Sequence, residues 1–148
     1  MEKNKKKIFY NVYMIIMVLL TVIYSLIMVC MAGAGLIYNG ESYGRELENA
    51  GIWLIISGIL MTSGAVLSFF KKRIFLIISA ILTAVGLAVC LAMVYIVCTH
   101  ADNAGWADNH TMEPVSRMYK ERLLPVIVPA VMNLAVSFFK MRNYLKSR

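Results

Sequence analysis

Residues 74–98 read IFLIISAILTAVGLAVCLAMVYIVC, from Ile74 to Cys98. No charged side chain interrupts them. A helix of about 20 apolar residues crosses a bilayer core of about 30 Å. A helix is required there because hydrocarbon offers no partner for backbone N–H and C=O groups. Three further blocks match it, at about 9–38, 50–70 and 123–139. In a chain of 148 residues, 60% apolar and 16% charged, they leave no room for a soluble domain. The expected fold is an all-α membrane protein, a single four-transmembrane-helix bundle covering 1–148.

The basic residues set the orientation. Eleven of the fifteen lie at 3–7, 71–73 and 140–148, with Glu2 the one acid among them, so that side carries +10. The other side, residues 40–49 and 99–122, holds four bases against seven acids, or −3. Lys and Arg concentrate on the cytoplasmic side of spans. Both termini and the 71–73 turn are therefore expected in the cytoplasm of a cell-membrane protein. The net +7 is a topology signal facing an anionic inner leaflet, not a nucleic-acid surface. The apolar stretch from Ile8 to Met31 exceeds the 7–15 residues of a signal-peptide core, so a retained anchor is expected.

Small residues mark close helix packing. They fall at Gly51, Gly58 and Gly64 in the second block, and at Ala80, Ala84, Ala88 and Ala92, every fourth residue, in the third. Ser79, Thr83, Gly86 and Cys90 run beside that alanine stripe. Without a hydrophobic drive in lipid, such stripes let backbones approach and pack. The fourth block carries Pro125 and Pro129, the second expected to kink the helix. Asn133, its one strongly polar residue near mid-span, is expected to hydrogen-bond a neighbouring helix.

Two short segments recur. Lys5-Lys6-Lys7-Ile8-Phe9 resembles Lys71-Lys72-Arg73-Ile74-Phe75, and Ser68-Phe69-Phe70-Lys71-Lys72-Arg73 resembles Ser137-Phe138-Phe139-Lys140-Met141-Arg142. A duplicated two-helix hairpin, 5–73 and 71–142, would account for both. A shared aromatic-then-basic boundary would account for them equally well.

Candidate chemistry is sparse. No span holds a charged residue, which argues against proton-coupled transport by a single chain. Cys30, Cys90 and Cys98 form no CxxC, which argues against thiol-exchange catalysis. The longer loop sets His100 and Asp102 against Asp108 and His110 around Gly105-Trp106. These are weak metal candidates, since no standard ligand spacing matches and a solvated loop explains them. No cofactor is expected. Asn109-His110-Thr111 is formally a glycosylation acceptor. From Thr111 and Pro114 a short amphipathic helix is expected, with Val115, Met118 and Tyr119 inward and Ser116, Arg117, Lys120 and Glu121 outward. Trp106, Arg117, Lys120 and Arg122 are the expected interaction surface. The reading is a non-enzymatic accessory, regulatory or interaction subunit with a membrane-protein partner or a second copy. The alternative is an oligomeric pore or transporter component for a neutral or hydrophobic substrate.

Overall fold

A computed structural model describes residues 2–38, 44–70, 72–106 and 112–146, with side chains described between 11 and 142. The described residues are helical almost throughout. The first span is α1 (Glu2–Ile23), a π segment (Tyr24–Cys30) and α2 (Met31–Tyr38), without a break. α3 (Arg45–Leu67) and α4 (Arg73–Ala104) form a hairpin. α5 (Val115–Leu123) passes through a 3-10 turn (Leu124–Val126) into α6 (Ile127–Lys146). Four stretches are long and apolar enough to cross a membrane: Asn11–Tyr38, Arg45–Leu67, Arg73–Ala104 and Val115–Arg142.

Side-chain pairs fix the directions. Ser79 meets Ser137 while Thr83 hydrogen-bonds Asn133, four residues on in α4 and four back in α6. α4 and α6 are therefore antiparallel. Gly64 lies against Ser79 and Thr83, and Gly86 against Ser57 and Met61, so α3 and α4 are antiparallel too. Gly33 lies against Gly51, and Gly58 against Ser25 and Cys30, which turns α3 against the first span. The start of α1, the end of α3, the start of α4 and the end of α6 thus share one end of the bundle, the terminal end. The end of α2, the start of α3, the end of α4 and the start of α5 share the other, the loop end.

The interior has two zones. Toward the loop end an apolar cluster includes Leu36, Leu47, Leu54, Val94, Val97, Leu123 and Val126. Toward the terminal end the buried set includes Thr21, Ser68, Ser79, Thr83, Asn133 and Ser137. No charged side chain is buried among the described residues.

Three boundaries differ from expectation. The third helix runs six residues past Cys98, so Thr99–Ala104 is helix rather than loop. It ends at Gly105, whose φ of 65° suits a residue without Cβ. The Trp106 N–H returns to the Ala101 carbonyl at 3.0 Å, closing a Schellman turn. The second helix starts at Arg45, within the expected 40–49 loop. In the fourth span the helix is broken at Leu124–Val126, around Pro125. Pro129 sits in the first turn of α6, where its missing N–H is tolerated.

At Gly33 and Gly51 the two backbones touch. A Cβ built on Gly51 would lie 2.6 Å from the Gly33 carbonyl oxygen, and one on Gly33 2.5 Å from that of Gly51. A Cβ built on Gly35, by contrast, would meet nothing within 4 Å. Gly51→Ala is expected to cost about 1–3 kcal/mol by overpacking. Gly35→Ala is expected to be neutral or mildly stabilising, since alanine favours helix. Thermal unfolding of both variants in the same detergent checks the contrast.

Candidate functional site

The loop end is closed by a folded cap. The Schellman turn aims Trp106 back at the bundle, where it packs half-buried against the apolar cluster beside Tyr119. The Trp106 carbonyl then accepts the Val115 N–H at 3.0 Å, tying the start of α5 to the end of α4. The Pro114 carbonyl accepts the N–H groups of Arg117 and Met118, starting α5. Ser116 is buried, and the Cys98 thiol points at its carbonyl, 3.6 Å away. This corrects the expectation that Ser116 faces outward with Arg117. α5 turns Ser116 and Leu123 inward, with Tyr119 partly buried between them, and these fall at helical spacing on one face.

The proposed surface residues divide accordingly. Arg117 is exposed and sits between two carboxylates, 2.9 Å from Glu121 and 3.4 Å from Glu113. At that exposure each pair adds at most a few tenths of a kcal/mol, so they order the helix surface more than they stabilise it. Lys120 and Arg122 are exposed on the same short helix. His100 lies on the last turns of α4, its ring 5.2 Å from that of Trp106. Asp102 is exposed two residues on. Asp108, His110 and the Asn109–Thr111 acceptor lie outside the described residues, so the metal constellation cannot be assembled from what is described. Among those residues no three His, Cys, Asp or Glu side chains gather at metal-binding distance. A shallow groove of about 230 Å³ runs along the exposed side of α4, past Tyr95, Ile96, Thr99, His100 and Asn103.

The small-residue stripes also divide. Gly51, Gly58 and Gly64 all lie at helix contacts. The alanine stripe does not. Ala80 is half-buried, and Ala84, Ala88 and Ala92 are exposed on the bundle's outside. The stripe beside it, Ser79, Thr83, Gly86 and Cys90, is the one packed inward. The reason is shape and polarity together. Gly86 admits the Ser57 carbonyl and the Met61 side chain, and the hydroxyls of Ser79 and Thr83 find partners only inside.

Those partners form a neutral polar seam. The Ser79 hydroxyl donates to the Gly64 carbonyl at 2.6 Å and lies 3.4 Å from the Ser137 hydroxyl. Asn133 donates through Nδ2 to Thr83 Oγ1 at 3.4 Å. The Thr21 hydroxyl reaches the Met17 carbonyl at 2.8 Å and the Pro129 carbonyl at 3.1 Å, joining the first span to α6. All four spans contribute. Three buried oxygens find no partner among the described residues: Ser25 Oγ, Thr62 Oγ1 and Asn133 Oδ1. Of this seam, residue types alone single out Asn133. The hydroxyls of Thr21 and Ser137 are legible only once the inward faces are known. The cysteines are unbridged, and Cys30 points at the Ile55 carbonyl. The seam can hold helices in register, and it contains no group able to accept or donate a proton at neutral pH.

No family model, curated protein or solved structure matches this chain.

If Asn133 and Thr83 act as a pair, each single change is expected to cost about 1 kcal/mol. Asn133→Leu combined with Thr83→Val is expected to cost less than the two added, because both partners are then apolar. A double-mutant cycle read by unfolding in detergent checks this; strict additivity means that the two side chains do not interact.

Proposed function

We propose that the chain is a multi-pass protein of the cell membrane, with both termini in the cytoplasm, that works without catalysis as an accessory or regulatory subunit. It binds another membrane protein through a lipid-facing helix surface, with the Trp106–Arg122 cap as a second contact. The observation that carries this reading is the outward alanine stripe. Ala84, Ala88 and Ala92 leave α4 smooth on a side that no described helix covers. Small residues at i+4 spacing on a membrane helix suit the close approach of another helix. The charge asymmetry between the two ends supports the orientation. The neutral seam supports a structural interior over a catalytic one.

A second reading, an oligomeric pore or transport component for a neutral or hydrophobic substrate, is favoured by one feature. Ser25, Thr62 and Asn133 each bury an oxygen without a partner among the described residues. Such atoms are costly in a dry interior and are satisfied when water or a polar solute enters.

Two measurements separate these readings. Ala88→Phe is expected to leave thermal unfolding within about 0.5 kcal/mol of the parent, since the site is exposed. It should also abolish recovery of the partner from native membranes. Recovery of the same partner at parental yield would remove the α4 surface from the reading. Orientation is checked in a background with Cys30, Cys90 and Cys98 changed to Ala. Asn103→Cys should react with an impermeant maleimide on intact cells, and Arg142→Cys should react only after lysis. The reverse pattern overturns the assigned topology.

A further inference from the structure

The two Ser-Phe-Phe-Lys-x-Arg segments meet in space. Ser68 ends α3 and Ser137 lies in α6, and both are fully buried. The amine of Lys140, from the second segment, donates to the Ser68 carbonyl of the first at 2.5 Å. Each segment's phenylalanines remain exposed: Phe69 and Phe70 beside the 68–72 turn, Phe138 and Phe139 on α6. Phe70 is steadied by Phe75, their ring centroids 5.1 Å apart.

The basic residues of the same segments stand just beyond those rings. Lys72 and Arg73 are exposed where α4 begins. The pairings Ser79–Ser137 and Thr83–Asn133 set an antiparallel register that places Arg142, also exposed, level with Ile74 and so at nearly the same height in the bundle as Arg73. The start of α4 adds its partial positive charge. Every carboxylate whose side chain is described belongs to the loop end: Glu46, Glu48, Asp102, Glu113 and Glu121. Among the described side chains, the terminal end therefore presents cations without competing acids, directly against a rim of aromatic rings.

We propose that this end holds the phosphate of an anionic phospholipid between Arg73 and Arg142, with Lys72 beside them and the acyl chains against Phe70 and Phe139. Guanidinium groups pair with phosphate oxygens through two N–H donors at once. The exposed phenylalanine rings offer an apolar surface on which acyl chains can lie. The site rests on the membrane-spanning reading given above, and it goes beyond general attraction to a charged leaflet by naming the residues that hold one lipid.

The test uses the full chain in vesicles of phosphatidylcholine, with or without phosphatidylglycerol as a minor component. After extraction in mild detergent, native mass spectrometry counts the retained lipids. The parent chain is expected to retain phosphatidylglycerol preferentially. Arg73→Gln with Arg142→Gln should lower that preference by about fivefold per charge removed. Lys120→Gln with Arg122→Gln, at the other end, should leave it unchanged. Added inorganic phosphate should not displace the lipid. The proposal is overturned if the Arg73/Arg142 variant keeps the parental preference, if the Lys120/Arg122 variant loses as much, or if phosphate alone displaces the lipid. Resistance of the chain to carbonate extraction separates the layers of the argument. A resistant chain without lipid preference overturns this site alone. A chain released by carbonate overturns the spanning reading and the site with it.

Discussion

Backbone-to-backbone approach at glycine is the contact on which the bundle depends. In an apolar solvent, burying leucine gains nothing over leaving it in lipid, so packing must come from close contact and from hydrogen bonds. Gly33 and Gly51 let two helices touch through their carbonyls. Gly58 admits the Ser25 carbonyl and the Cys30 side chain, and Gly64 admits the Thr83 side chain and the Ser79 carbonyl. Once α3 is drawn close to α4, the Ser79 hydroxyl falls within reach of the Gly64 carbonyl. The polar seam is thus a consequence of the glycine contacts. A larger residue at Gly64 would part the helices and leave Ser79 and Thr83 without their neighbour.

The four apolar helices were legible because their signal is length and composition, which no tertiary context overrides. The second-block glycines were legible for a related reason: a residue with no side chain is conspicuous in a run of Ile, Leu and Met. The direction of the alanine stripe was not legible, because periodicity identifies a face without saying which way it turns. Ala84 and Ala88 are at the same spacing as Thr83 and Leu87, and the decision lies in which face holds hydroxyls that must be paired. The loop boundary at 99–122 misled differently. Thr99, His100, Asp102 and Asn103 are polar, but polarity marks where a helix leaves the apolar layer, not where it ends. At 1.5 Å per residue α4 is about 48 Å long, well beyond a bilayer core. The residue that ends it is Gly105.

In the cap, a polar segment takes part in closing the end of the bundle. His100 and Trp106 face each other across the Schellman turn, and Trp106 turns its ring to the core. The charges of α5 occupy themselves locally, with Arg117 held between Glu113 and Glu121. Lys120 and Arg122 are exposed with Arg117 on the same helix, which is anchored to the bundle by the buried Leu123.

The π segment follows from the same close contacts. Tyr24–Cys30 contains neither proline nor glycine, so no residue within it forbids an α-helix. Its two flanks, however, dock on different neighbours. Thr21 is tied to the Pro129 carbonyl of α6, while Gly33 is seated on Gly51 of α3. Both contacts are specific to single residues, and twelve positions separate Thr21 from Gly33. A uniform 3.6-residue winding fixes the angle between such positions, and a wider turn changes it. The π segment therefore acts as the adjustable link between two fixed docks. It also leaves Ser25 fully buried with no partner for its hydroxyl among the described residues, which costs stability.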